Sequence, residues 1–212
     1  MGSAGQIGWV LEALLSAERE LLLFAGFWLA IGLLDEFAID LSWIWLKLTG
    51  RARTGHLPPG YGTAPLAGPM AVLIPAYAES QVIGTTIRHL LGVWQHDDLR
   101  LYVGCYQDDP ATIAAAIAAA GQDSRLRLVL LNSAGPTTKA DCLNRLYAAL
   151  QADESRSKRR FRGVILHDAE DMVHPAALGA IDAALAAADF VQLPVRPVAS
   201  TGNRWVAGHY AD

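Results

Sequence analysis

Apolar positions fall into two regimes along this chain. From Leu21 to Leu34 it reads LLLFAGFWLAIGLL without a charge, and Phe37–Leu46 continues apolar apart from Asp40 and Ser42. The uninterrupted run is shorter than the roughly 20 residues with which a helix crosses a bilayer, so a span must recruit Phe37–Leu46 or the preceding Ile7–Leu15. At about 100° per residue, Asp35, Glu36 and Asp40 share one helical flank that faces protein or headgroups rather than lipid. Beyond Pro69 the pattern shortens and alternates. Runs at Met70–Ile74, Leu99–Gly104, Arg125–Leu131, Phe161–His167 and Phe190–Val195 predict five strands. Helical spacing separates them over Glu79–Val93 (through Val82, Ile83, Ile87, Leu90 and Leu91), Ala111–Ala120, Thr138–Leu150 (through Ala140, Leu143, Leu146 and Tyr147) and Pro175–Ala187. Strands alternating with helices of this length imply right-handed βαβ crossovers, hence an α/β domain built on a mainly parallel sheet with helices on both faces.

Residues 49–69 (TGRARTGHLPPGYGTAPLAGP) are rich in Gly, Pro and Thr and lack periodicity, which is the composition of a linker. The expected organisation is therefore a membrane-associated helical segment at 1–48, a linker at 49–69 and the α/β domain at 70–212. The segment Asp153–Arg160 (DESRSKRR) is expected to be a solvated charged turn. Glu12, Glu18 and Glu20 precede the apolar run and no small-residue cleavage site follows it, so it does not fit a secretory signal. Lys47, Arg51 and Arg53 follow the run, and the positive-inside rule then places everything after residue 47 in the cytoplasm. The alternative is a soluble flavodoxin-like or nucleotidyltransferase domain with Leu21–Leu46 in its core.

Composition narrows the classes further. Among 212 residues, 52% are hydrophobic and 18% charged, which excludes a disordered or fibrous chain. Lys and Arg number 17 against 21 Asp and Glu, a net charge of −4, which argues against a nucleic-acid binder. Cys105 and Cys142 form neither a disulfide framework nor a metal set.

In parallel sheets ligands sit at the carboxyl ends of the strands, so the residues following each strand carry the chemistry. After the first strand comes Pro75-Ala76-Tyr77-Ala78-Glu79, with no glycine fingerprint of a dinucleotide-binding dehydrogenase, and the chain holds no phosphate loop ending in GKT or GKS. The second strand is followed by Cys105-Tyr106-Gln107-Asp108-Asp109-Pro110, the third by Asn132–Thr138 and Lys139, the fourth by His167-Asp168-Ala169-Glu170-Asp171. Asp168 and Glu170, two apart at a strand end, offer hard oxygen ligands of the kind Mg²⁺ or Mn²⁺ prefers. A diphosphate held by such an ion becomes a good leaving group. Asp108 or Asp109 suits hydrogen bonds from a base or ribose, and Lys139, beside a helix amino terminus, suits phosphate. Each residue also has a plainer role open to it: Asp171 as a cap on the helix beginning near Pro175, Lys139 as a surface charge.

Four segments in order, VLIPAYAES (Val72–Ser80), YQDDP (Tyr106–Pro110), TTKADCLN (Thr137–Asn144) and ILHDAEDMVHP (Ile165–Pro175), resemble glycosyltransferase family 2. Within that family the chain is most similar to the inner-membrane phage-adsorption protein B group. The resemblance covers roughly residues 20–212 and implies a GT-A, Rossmann-like fold behind an amino-terminal membrane helix. It also implies transfer of a sugar, with inversion, from a nucleotide-diphosphate donor, UDP being the expected nucleotide, to an envelope or exopolysaccharide glycan. Ala76, Tyr77 and Glu79 match nucleoside contacts, Asp109 with Asp108 the first family aspartate, Lys139 the family lysine with Asn144 as its structural partner. Asp168 and Glu170 match the metal-carrying D-x-D, with Glu in place of the second Asp. Implied partners are the donor, a glycan acceptor, the membrane and an envelope export complex, at a bacterial inner membrane with the domain facing the cytoplasm.

The family's acceptor-side base and its Q-x-x-R-W motif have no counterpart here. Arg204-Trp205 lacks the glutamine and stands too close to the metal acids, with Trp205 read as a packing anchor. His209 is read as incidental, and no catalytic residue is assigned. The chain is therefore expected to be a donor-binding half, an amino-terminal fragment that binds nucleotide sugar weakly and turns over little. A second reading makes it a catalytically incomplete scaffold or docking component of an envelope assembly.

Overall fold

A computed structural model describes residues 3–51 and 60–195. The chain divides into two compact units, Met1–His56 and Leu57–Asp212.

The first unit contains one unbroken helix, α1 (Ser3–Leu48), of 46 residues. At 1.5 Å per residue it is about 69 Å long. Both apolar runs and the acids between them thus lie on one rod, and its Gly8–Leu48 stretch is long and apolar enough to cross a membrane. None of the side chains described along it is buried, and Leu21, Trp28 and Leu34 stand 68%, 56% and 69% exposed. The core helix of a soluble protein buries such side chains. At its carboxyl end the Lys47 ammonium lies 5.3 Å from the Trp43 ring centroid and the Arg51 guanidinium 5.0 Å from that of Trp45. Such cation–aromatic pairs suit a boundary between hydrocarbon and water. Arg53 lies outside the described residues.

In the second unit the chain runs β1 (Met70–Ala76), α2 (Ile83–Val93), β2 (Leu99–Tyr106), α3 (Pro110–Ala120), β3 (Leu126–Leu131), α4 (Lys139–Ser157), β4 (Gly163–Leu166) and α5 (Ala177–Ala184). The four strands form one sheet in the order β3-β2-β1-β4, and every pairing is parallel, with Met70 opposite Leu99 on one side and Gly163 on the other. β1 lies between two strands and two helical layers, which is why it is an unbroken apolar run rather than an alternating one. The period-2 pleat sorts its side chains all the same. Met70, Val72, Ile74 and Ala76 join the core under α2, α3 and α5, while Ala71 and Leu73 join that under α4. Gly104 on β2 lets α4 approach closely, since a Cβ there would come 2.7 Å from the Cys142 sulfur.

The expected mainly parallel α/β sheet is thus the observed one, with three corrections. Phe190–Val195 does not form a strand: it joins no ladder, and Phe190 is 80% exposed. Apolar composition suits a strand, but a strand exists only where a neighbour completes its hydrogen bonds. The expected charged turn at Asp153–Arg160 is helical as far as Ser157, because Asp153 and Glu154 find partners that favour helix. Asp153 pairs with Arg127 on β3 and with Arg156 one turn on, and Glu154 accepts the Phe161 amide at 2.7 Å. Helix α2 begins at Ile83 rather than Glu79, residues 77–82 being spent on a turn.

Chain order runs outward from β1 through β2 to β3 and then returns over α4 to place β4 on the other side of β1. The sheet's direction of growth reverses between β1 and β4, and the loops leaving their carboxyl ends diverge there to open a crevice.

Candidate functional site

The crevice is built from the turn after β1, the loop after β3 and the loop after β4. At Ala78 the first turn takes a left-handed conformation (φ +58°), disfavoured for a residue with a Cβ. The start of α3 holds it there. Asp109 caps that helix, one carboxylate oxygen accepting the Thr112 amide at 3.2 Å and the other the Ala78 amide at 2.6 Å. The Glu79 amide donates to the Thr112 hydroxyl at 3.0 Å. Partial burial pulls the Asp109 pKa upward, but hydrogen bonds from Thr112 and Ala78 outweigh it and leave the group below the ordinary carboxylate range.

Asp108 acts in the same way on the next loop, its two oxygens each 3.0 Å from the Gly135 amide. Gly135 packs on the Tyr77 ring so closely that a Cβ would come 2.3 Å from it. Tyr77 meets Tyr106 edge to face at 5.2 Å between centroids, and the Tyr106 hydroxyl lies 2.6 Å from that of Thr137. Thr138 then caps α4 by accepting the Asp141 amide at 3.1 Å, which sets Lys139 in the helix's first turn. There the Lys139 ammonium forms an ion pair with Asp168.

The third wall, after β4, is pinned from behind by α2. The His167 amide donates to the Leu73 carbonyl at 3.0 Å. The Thr86 hydroxyl donates to the Ala169 carbonyl at 2.6 Å, and both residues are buried. Further along, His89 Nε2 lies 2.8 Å from the Val173 carbonyl, and Trp94 Nε1 donates to the His174 carbonyl at 3.2 Å. Asp171 caps no helix: α5 starts after Ala176 with no side-chain cap, and the Asp171 carbonyl faces His167 Nε2 at 3.1 Å.

The resulting cleft of about 270 Å³ is lined by Ala76, Tyr77, Glu79, Lys139, Asp168 and Glu170. Six of the eight residues singled out in the sequence therefore line one cleft. Asp108 and Asp109 do not line it. Their carboxylates are engaged by main-chain amides of the two loops that shape it. Tyr106, Pro136, Thr137 and Cys142 also line the cleft without having been expected there. Tyr106 is the last residue of β2 and legible as a strand-end position, whereas Cys142 reaches the cleft only because α4 crosses over Gly104. Burial pushes the Cys105 thiol up to about 12 and raises Cys142 as well, so neither is a thiolate at neutral pH. The segment around Arg204, Trp205 and His209 lies outside the described residues.

Asp168 and Glu170 supply two hard carboxylates to one cleft. Among the described residues no three His, Cys, Asp or Glu side chains gather into a fuller ligand set. Two carboxylates with an open remainder suit Mg²⁺ or Mn²⁺, which complete their octahedron with water and phosphate oxygens. A larger cleft of about 390 Å³ lies at the opposite, amino end of the sheet, but Asp98 and Asp153 already pair with Arg159, Arg127 and Arg156 there.

Comparison with known proteins matches residues 67–212 to the family described as glycosyltransferase like family 2. The chain is 29% identical over 184 residues to bacteriophage adsorption protein B of Escherichia coli K12, and equally to bacteriophage N4 adsorption protein B of Escherichia coli O157:H7. The match takes in 84% of this chain but only 25% of each relative, so the chain spans about a quarter of their length. Among solved structures, a mannosyltransferase from Pyrobaculum calidifontis in complex with GDP-Man and Mn²⁺ aligns with a TM-score of 0.47 and 19% identity, over 70% of this chain and 40% of that one. A mycobacterial protein aligns with a TM-score of 0.42 and 21% identity, over 65% and 43%.

Proposed function

The chain belongs to glycosyltransferase family 2, and from that premise we propose that its α/β unit is the donor-binding half of a membrane-anchored enzyme that transfers a sugar from a UDP-sugar to an envelope glycan, with inversion. The observation that carries this reading is the convergence of Tyr77, Glu79, Lys139, Asp168 and Glu170 on one cleft at the sheet's switch point. The nucleoside lies against the Pro75–Glu79 turn, where Tyr77, braced by Tyr106, offers an aromatic wall. The diphosphate lies towards Lys139, which adds a full positive charge to the amino-terminal pole of α4. In this reading Asp168 and Glu170 hold Mg²⁺ or Mn²⁺, which, when bound, neutralises the charge developing on the departing diphosphate. The Lys139 ammonium pairs with Asp168, which keeps the lysine at the wall towards which the diphosphate would lie. Asp109 and Asp108 act at one remove, by setting the two loops. Helix α1 is the membrane anchor, with residues after 47 on the cytoplasmic side of a bacterial inner membrane.

Calorimetric titration of the detergent-solubilised chain with UDP, with and without Mn²⁺, tests this. Mn²⁺-dependent heat that is lost in Asp168→Asn is the expected result. No heat under any condition would remove the donor site and leave a scaffold or docking component of an envelope complex.

A further inference from the structure

Two of the cleft's walls are held by different helices. The turn after β1 feeds directly into α2, but what fixes its shape is α3: Asp109 holds the Ala78 amide and Thr112 the Glu79 amide. The wall after β4 has no such brace from α3. Its backbone is tied to α2, and the tie nearest the two acids is a single buried hydrogen bond, from the Thr86 hydroxyl to the carbonyl of Ala169. Ala169 stands between Asp168 and Glu170, and its carbonyl belongs to the peptide that leads into Glu170, so this bond fixes the backbone from which the second carboxylate projects; the first is held by the Lys139 ammonium. Thr86 is 2% exposed and Ala169 3% exposed, and the bond at 2.6 Å is shorter than the other ties from α2 and its C-cap residue, at 2.8 Å from His89 and 3.2 Å from Trp94. Water cannot replace a donor at a site so enclosed, and a buried carbonyl left without one is driven to turn elsewhere.

We propose that Thr86 is a positioning residue for the cation-holding pair. Its hydroxyl locks the Asp168–Glu170 segment in the conformation from which the Glu170 carboxylate is presented, with that of Asp168, to a divalent ion. This rests on the donor-site reading above and adds a residue some 80 positions upstream that touches neither the ion nor the nucleotide. Residues that hold a ligating segment in place commonly govern affinity by about 10–100-fold.

Thr86→Val keeps the shape of the side chain and removes only the hydroxyl; Thr86→Ser keeps the hydroxyl and removes a methyl group. Each is made in the full chain and titrated with Mn²⁺ alone, with UDP alone, and with UDP in the presence of Mn²⁺. For Thr86→Val the expected result is Mn²⁺ affinity lower by about tenfold or more, with metal-free UDP binding little changed, because α3 and not Thr86 shapes the nucleoside wall. Thr86→Ser restores Mn²⁺ affinity. Leu150→Val, in the core on the far side of the sheet, controls for lost stability: it lowers the melting temperature and leaves Mn²⁺ affinity intact. Wild-type Mn²⁺ affinity in Thr86→Val, or an equal loss of metal-dependent and metal-free binding, overturns the positioning role while leaving the donor site standing. Absence of any Mn²⁺ or UDP binding by the unmodified chain overturns the donor site, and this inference with it.

Discussion

Asp109 offers the sharpest separation between two ways of building this cleft. In the family resemblance it is a nucleotide contact; in the structure its two oxygens are occupied by the Thr112 and Ala78 amides, one capping α3 and the other fixing a left-handed turn. Asp109→Ala removes both. Loss of an Asp cap costs about 1 kcal/mol. The bond to Ala78 is charge-assisted but partly solvated, and its loss adds about 1 kcal/mol. The sum of about 2 kcal/mol corresponds to a fall of about 6 °C in melting temperature for a domain of this size. Scanning calorimetry on the detergent-solubilised chain measures it, and pH gives a second check. The folded pKa of Asp109 lies below its unfolded value, so the stabilisation is fully present above the unfolded value of about 3.9 and is lost as pH falls through the folded one. The gap between wild type and variant should be constant at neutral pH and close at the acid end. An unchanged melting temperature combined with abolished UDP binding would refute the reasoning, since it would mean that the carboxylate serves the ligand and not the turn.

Two further outcomes follow from the geometry. Gly135→Ala places a methyl group 2.3 Å from the Tyr77 ring and 2.9 Å from Tyr106, and overpacking of this kind costs about 1–3 kcal/mol; a lower melting temperature and weaker UDP binding are expected, and tolerance of the change on both measures would contradict the tight Gly135–Tyr77 contact. In membranes from an expressing strain, alkaline carbonate should leave the full chain in the pellet, because the Gly8–Leu48 stretch of α1 is long and apolar enough to cross a bilayer; release to the supernatant would contradict a spanning helix.

Six of the cleft's residues were legible in the sequence for one reason. In a parallel sheet the strand ends gather on one rim, so Tyr77, Lys139 and the Asp168–Glu170 pair had to meet once the strands were placed. The same rule brings Asp108 and Asp109 to the rim, where main-chain amides of two loops engage them. Sequence position brings a carboxylate to the rim but cannot say whether a main-chain amide reaches it before a ligand does. Thr86, His89 and Trp94 gave no signal at all: two are ordinary positions of the amphipathic helix α2 and the third follows its end, and their partners are carbonyl groups, which carry no residue identity.

The periodic elements, their parallel alternation and the uncharged run that makes α1 apolar can be read along the chain, because they follow from side-chain periodicity and nearest neighbours. That Phe190–Val195 forms no strand, that α4 runs on through Asp153 and that α2 anchors the acidic loop emerges only once the chain is folded. Each of these depends on a hydrogen-bond or ion-pair partner many residues away, present or missing, and no local pattern of apolar and polar positions encodes where that partner will be.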